Sequence, residues 1–179
     1  DETALGMILR PDGSIVLAVN SGKYDKFGQG PSALWMIHCD ADGRQKADAF
    51  IEGARIGLPI RDCLTNCYGG IALSYTTATT PEDRRGLSSA GEISLLDLDL
   101  KRKWQQPCTS TMFYAAMITA DGKGRLVVLT TMMLKTLLVT RLDVQGEVVA
   151  EQTTALDEMF SPASFVARVD GVFVLGSVT

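Results

Sequence analysis

The chain has 179 residues, with 17 Lys plus Arg, 21 Asp plus Glu and one His, and a formal net charge of −4. Hydrophobic residues make up 46% and charged residues 21%, which excludes a disordered chain and fits a globular one. A pI near 5.0 argues against a generally basic nucleic-acid-binding surface, and no run approaches the roughly 18 apolar residues of a membrane span.

The candidate strands are short, apolar or alternating, and separated by Gly, Asp and Pro. Ala4–Arg10 leads through Pro11-Asp12-Gly13 into Ser14–Asn20. Leu34–Cys39 leads into Asp40-Ala41-Asp42-Gly43, and Phe113–Thr119 into Asp121-Gly122. Leu126–Thr131, Leu137–Asp143 and Glu147–Gln152 follow, with Gly146 between the last two. Asp-Gly between apolar runs predicts a hairpin, because glycine supplies the positive φ of a tight primed turn. The best helical stretch is Thr154–Phe160, and it is short and stops before Pro162. The chain therefore reads as all-β.

Four segments are alike: Asp12–Leu17, Gly69–Leu73, Gly124–Val128 and Asp170–Leu175. Anchored on Gly13, Gly69, Gly124 and Gly171, they are spaced by 56, 55 and 47 residues. A second motif falls between the anchors, at Ile37–Gly43, Leu96–Leu100 and Arg141–Gly146. Each unit then holds two hairpins. A four-stranded unit of roughly 50 residues predicts a β-propeller blade. A β-sandwich is the alternative, since its short strands also recur with turn signals.

The stretch Leu9-Arg10-Pro11-Asp12-Gly13-Ser14-Ile15-Val16-Leu17-Ala18, followed by Leu34-Trp35-Met36-Ile37-His38-Cys39-Asp40-Ala41-Asp42-Gly43, resembles the delta-60 and PQQ-like repeats of bacterial β-propellers. Those repeats pair a Pro-Asp-Gly hairpin with an Asn-Ala-Asp-Gly or Asp-Ala-Asp-Gly hairpin. The resemblance covers the first unit well and the third moderately. The second departs from it, with Tyr68-Gly69-Gly70 at one turn and Leu100-Lys101-Arg102-Lys103 at the other. The tryptophan-docking pattern of quinoprotein dehydrogenases is absent, since the only tryptophans are Trp35 and Trp104. The resemblance implies a scaffold and carries no catalytic residue across. It also implies an extracytoplasmic, periplasmic or secreted, bacterial protein, although no cationic, apolar leader opens this sequence.

The units predicted over a single domain, 1–179, are 3–53, 58–108, 112–153 and a partial 161–179. That is about three and a half blades, against the usual four to eight of a closed propeller. The last strand, Val172–Val178, is apolar and lacks outer neighbours, which invites pairing with another chain. The expectation is a piece of a larger propeller, or one completed by a second chain or a second copy, two copies giving seven blades.

In a propeller the loops between second and third strands share one rim with the connections between blades. Two such loops are long here, 22–31 and 77–91, and long loops on a rigid scaffold are where function usually sits. The first offers Lys23, Tyr24, Lys26 and Phe27, a mix able to contact a protein or glycan ligand; the second offers Arg84 and Arg85 beside Glu82 and Asp83. Asp62, Thr65 and Asn66 fall on or near the inner strand of the second unit, with Arg61 just before it, and Arg55 falls in the connection between blades. Glu52, Asp157 and Glu158 fall in the connections between blades. Polar groups converging at a channel mouth would make a pocket. Each of these groups has a plainer reading, as a solvated loop or a backbone cap.

The search for chemistry is mostly negative. No cofactor or metal is expected: no Cys-x-x-Cys spacing occurs, and only His38 could add an imidazole. His38 alternates with Ile37 and Cys39 and reads as a half-buried strand residue rather than a general base. Asp40-x-Asp42-Gly43 reads as a turn rather than a calcium loop. Cys39, Cys63, Cys67 and Cys108 read as buried thiols, with a disulfide at Cys63 or Cys108 as the alternative. On one strand Cys63 and Cys67 would lie about 13 Å apart on the same face, too far to bridge. The function expected is a non-catalytic binding or interaction module. The alternatives are a carbohydrate-active hydrolase or lyase using rim carboxylates, and a structural subunit completing a composite propeller.

Overall fold

The computed structural model describes residues 2–22, 32–55, 62–77, 90–108, 116–132 and 134–178. These residues form strands and turns with no helix among them. Sheet I is a meander of β1 (Glu2–Leu9), β2 (Ile15–Gly22), β3 (Ser32–Cys39) and β4 (Gln45–Glu52). In sheet II, β7 (Gly70–Thr77), β8 (Ala90–Leu96) and β9 (Arg102–Cys108) follow an interrupted first strand, made of β5 (Ala54–Arg55) and β6 (Leu64–Cys67), both paired with β7. Sheet III is β10 (Met117–Ala120), β11 (Leu126–Met132), β12 (Thr136–Leu142) and β13 (Val148–Ala155). Sheet IV is the hairpin of β14 (Phe160–Ala167) and β15 (Val172–Val178). All pairings are antiparallel.

Thr154–Phe160, the best helical stretch in a chain read as all-β, forms no helix. Thr154 and Ala155 end β13, and Phe160 opens β14. The amides of Leu156 and Phe160 donate to the carbonyls of Lys135 and Leu134 (2.8 and 2.7 Å), so cross-strand partners take the bonds a helix would use. The strand expected over Phe113–Thr119 begins at Met117; residues 113–115 lie outside the described ones.

Most of the hairpin turns differ from the primed turn expected at the Asp-Gly sites. In five of them the first residue accepts a hydrogen bond from the fourth and donates one to the fifth: Arg10–Ser14, Asp40–Arg44, Asp97–Lys101, Asp121–Arg125 and Asp143–Glu147. Only the fourth residue has positive φ, as in a type I turn followed by a bulge. It is Gly13, Gly43, Leu100, Gly124 or Gly146. Where Asp opens the turn, its Oδ1 accepts two backbone amides at 2.8–3.0 Å, as Asp40 does from Asp42 and Arg44. That carboxylate satisfies donors the turn would otherwise expose, which is why Asp favours the position. The primed turn does occur at Tyr68-Gly69, where both residues have positive φ.

The sheets pack face on face. Val16, Ala18, Leu34 and Met36 of sheet I meet Ile71, Leu73 and Tyr75 of sheet II. Ala72, Ile93 and Leu95 on the opposite face of sheet II meet Ile118, Leu126 and Val128 of sheet III. Val127 and Leu129 on the far side of sheet III meet Phe165 and Ala167 of sheet IV. The first strands of successive sheets are neighbours, β1 with β6, β6 with β10, and β10 with β14. The last strands, β4, β9 and β13, are largely exposed. The sheets thus converge on their first strands and fan outward.

Alternation also corrects the fourth anchor. Ile71 and Leu126, two residues after Gly69 and Gly124, face the preceding sheet. In sheet IV the inward residues are Val172 and Val174, one and three after Gly171, and Phe173 is exposed. The turn residues are Val169 and Asp170, as Tyr68 and Gly69 are in sheet II, so Gly171 holds the place of Gly70 and the anchor is displaced by one residue.

Trp104 of β9 covers the Asp143–Gly146 turn of sheet III and donates its Nε1–H to the Val144 carbonyl (2.9 Å). A Cβ on Gly146 would meet the Trp104 ring at 2.9 Å, at φ +89. We expect Gly146→Ala to cost about 2–4 kcal/mol, combining backbone strain with overpacking. Gly43→Ala, with open space at its Cβ and φ +80, should cost about 1–2 kcal/mol from strain alone. Urea unfolding of both variants checks the difference.

Candidate functional site

Of the nine ligand-binding candidates, Lys23, Tyr24, Lys26, Phe27, Arg61, Arg84 and Arg85 lie outside the described residues. Arg55 sits on β5 with its backbone paired opposite Thr76. Asp62 is the one whose side chain can be placed, and it is a tie between sheets.

Asp62 precedes β6 at the inner edge of sheet II with φ +54. Its carbonyl accepts from the Ile118 amide of β10. Its Oδ2 accepts from the Ser164 hydroxyl (2.9 Å) and the Phe165 amide (3.2 Å) of β14. One residue of sheet II therefore holds the first strands of sheets III and IV. On the other side, the Asn66 side-chain amide donates to the Leu9 carbonyl of sheet I at 3.3 Å. Two further links lead from sheet II to sheet III. The buried Ser74 hydroxyl donates to the Ala116 carbonyl, and the Tyr68 hydroxyl donates to the Leu142 carbonyl while accepting from the Leu126 amide. Glu52 is exposed at the end of β4 rather than in a connection, and Asp157 and Glu158 are exposed between sheets III and IV.

Other carboxylates mostly serve turns. Ser14 hydrogen bonds hold Asp12 below the usual carboxylate range. The Arg44 amide does the same for Asp40. Burial pushes Asp121 up, but bonds from Arg125 (Nη2 at 2.7 Å and Nε at 2.8 Å) and the turn amides outweigh it and hold it low. Groups lowered in this way stabilise the fold above the ordinary carboxylate value, and the contribution is lost as pH falls through their folded values. Among the described residues no cluster of His, Cys, Asp and Glu could hold a metal. Asp40-x-Asp42-Gly43 is the turn already described. His38 is half-buried, and its Nδ1–H donates to the Leu98 carbonyl of sheet II (2.9 Å), a contact that makes it structural.

None of the four cysteines is disulfide-bonded. Cys63 and Cys67 lie on opposite faces of sheet II, not on one. Cys63 packs in the cluster with sheet I and Cys67 in the cluster with sheet III. The bend after Asp62 keeps Cys63 out of β6, so strand alternation does not reach it.

The feature that sequence inspection missed is the pair of end faces. The face of sheet I turned away from sheet II carries Met7, Leu9, Ile15, Leu17, Trp35, Ile37 and Phe50, paired across the strands. Met7, Leu9 and Phe50 are 64, 66 and 56% exposed. Trp35 stacks on Phe50 at 5.5 Å and donates to Asp48 (3.0 Å). The outer face of sheet IV carries Val166, Phe173 and Leu175, 57, 64 and 71% exposed. Isolated exposed apolar residues are ordinary; a contiguous face of them marks an interaction surface. Strand alternation held the signal, but which parity faces solvent depends on where the neighbouring sheets lie.

No family model matches the chain, and no curated protein matches it. A solved structure similar to it is that of a protein of unknown function from Bacteroides caccae, with 10% identity and a TM-score of 0.49. The alignment covers 88% of this chain and 47% of that one, so the chain spans about half the length of the protein it matches.

Burial pushes the Cys63 thiol up to about 11 and the Cys67 thiol up to about 12, and raises Tyr68 and Tyr75 in the same direction. A raised folded value means the folded state keeps its proton longer. Stability should therefore be intact below the ordinary thiol value of 9.0 and fall as pH rises through 11 to 12. Urea unfolding across that range checks the direction. Alkylation at pH 8 followed by peptide mass spectrometry should find Cys63 and Cys67 unmodified in the native chain and modified once it is unfolded.

Proposed function

We propose that the chain is a non-catalytic interaction module built from propeller-type blades of the delta-60 and PQQ-like kind. The reading rests on one observation. The two end faces of the stack carry apolar side chains at strand positions of the kind that, between sheets, pack into buried clusters. A scaffold of this shape works by being covered, by a further chain at its end faces and by a protein or glycan at its rim loops. The carboxylates support the same reading. Asp40, Asp97, Asp121 and Asp143 are engaged with turn amides and Asp62 with Ser164 and Phe165, so these groups are committed to structure.

The test separates a scaffold from a glycan-cleaving enzyme. Incubation with a panel of polysaccharides should release no new reducing or unsaturated ends. Asp62→Asn should lower the unfolding midpoint, because it exchanges a charged acceptor for a weaker one at the Ser164 hydroxyl and Phe165 amide. A loss of about 1–3 kcal/mol is expected for bonds to a charged group. Steady release of sugar ends that Asp62→Asn abolishes in a folded chain would overturn the reading.

A further inference from the structure

The repeat sets equivalent residues at equivalent points of successive sheets, so two interfaces can be compared position by position. Six residues after Gly69, Tyr75 of β7 faces sheet I. Six residues after Gly124, Thr130 of β11 faces sheet II, by alternation with Leu126 and Val128. Tyr75 is fully buried, and its hydroxyl shares a hydrogen bond with that of Ser94 on β8 (2.9 Å). Ser94 stands opposite Leu73, four residues after Gly69. Thr140 of β12 stands opposite Val128, four residues after Gly124. Thr130 and Thr140 are therefore the counterparts of Tyr75 and Ser94.

Where the interface of sheets I and II holds the tyrosine ring, that of sheets II and III has a cavity of about 120 Å³, partly open to solvent. Ile93 of sheet II and Val128 and Leu138 of sheet III wall it, and Thr130, Thr140 and Glu151 line it. Thr130 is 6% exposed, and its buried hydroxyl has no hydrogen-bond partner among the described residues. Protein interiors hold few spaces larger than a water molecule, and buried hydroxyls are ordinarily bonded. The cavity approaches the ~150 Å³ of an engineered core cavity that takes up benzene.

We infer that this cavity is a binding site for a small, single-ring phenol. The ring takes the place that Tyr75 fills one interface earlier, between Ile93 and the wall of Val128 and Leu138. Its hydroxyl reaches Thr140 as that of Tyr75 reaches Ser94. Glu151 stands opposite Thr140 on β13, so the two side chains are cross-strand neighbours on one face. Glu151 is the one charged residue lining the cavity, and it makes no ion pair among the described residues. The phenol O–H donates to the Glu151 carboxylate, and the Thr140 hydroxyl donates to the phenol oxygen. An aromatic carboxylate would bring like charge to Glu151, so a neutral phenol is the class that fits.

Apolar walls with a few placed polar groups are the usual make-up of a small-molecule site. This one lies between two sheets of the chain and uses neither end face. It therefore goes beyond the interaction-module reading and stands or falls apart from it.

Three probes test it by titration calorimetry at pH 7: phenol, toluene, which has the same number of non-hydrogen atoms but no hydroxyl, and benzoate. Phenol should bind once per chain, with a Kd of about 1 mM or tighter, and benzoate should not bind. Thr140→Val keeps the side-chain shape and removes the hydroxyl. It should weaken phenol about fivefold to tenfold, the worth of one hydrogen bond, without weakening toluene. Thr130→Tyr sets a ring of the chain's own in the cavity and should abolish phenol binding with unchanged far-ultraviolet circular dichroism. Absence of saturable phenol binding, benzoate bound as tightly as phenol, or a folded Thr130→Tyr chain that binds phenol as before would overturn the inference. So would a Thr140→Val chain in which phenol is not weakened, or in which toluene is weakened as much. If Thr130→Tyr does not fold, the Thr140→Val comparison decides by itself.

Discussion

The structure depends on a strand that must be covered on both sides. From Gly70 to Thr76, every residue of β7 is buried. Its alternate side chains, Ile71, Leu73 and Tyr75 one way and Ala72, Ser74 and Thr76 the other, give it no solvent face. Burial of apolar area contributes roughly 25 cal/mol per Å², so such a strand is stable only between two other layers. β11 repeats the condition, with Leu126 and Val128 facing sheet II and Val127 and Leu129 facing sheet IV. Sheets with two apolar faces propagate: each one needs the next. The open faces at the two ends of the stack follow from the same rule.

Polar groups set the geometry that apolar packing leaves loose. Apolar contact is non-directional and would tolerate sliding of one sheet on another. Hydrogen bonds between sheets fix the register. These are Asp62 to β10 and β14, Asn66 to β1, and Tyr68 and Ser74 to sheet III. At the periphery Trp104 holds the Val144 carbonyl. Most of them start from sheet II, whose first strand is broken into β5 and β6 by an excursion that carries Asp62 to the other inner strands. The unit that departs most from the repeat is therefore the one that ties the others together.

Engagement of the carboxylates explains why acidic residues here are a poor guide to chemistry. Turn amides and, at Asp121, the Arg125 guanidinium hold the Asp40 and Asp121 carboxylates below their ordinary range, and Asp62 bonds two donors of β14. The two carboxylates held low, Asp40 and Asp121, resist protonation and are poor general acids near neutral pH. What the scaffold offers is surface, and the end faces expose Met7, Leu9, Phe50, Val166, Phe173 and Leu175.

Several features were legible in the residues themselves. Alternating apolar runs with Asp and Gly between them determined the all-β class, because strand period and turn chemistry are local. The Asp-x-x-Gly spacing of Asp40, Asp121 and Asp143 located the turns, although the turn type differs from the one expected: the positive φ falls on the fourth residue and not on the central pair. Half-burial of His38 was also readable from alternation. Other features only the tertiary structure decided. Cys63 and Cys67 part to opposite faces because a bend, invisible in their spacing, intervenes. Asp62 is a tie because residues 102 and 103 positions away in the chain come to it. Phe173 faces outward because Gly171 follows its turn, where Gly69 and Gly124 close theirs, so counting from the glycine is off by one place. Local sequence fixes what a strand is; which of its faces is buried depends on neighbours brought from elsewhere in the chain.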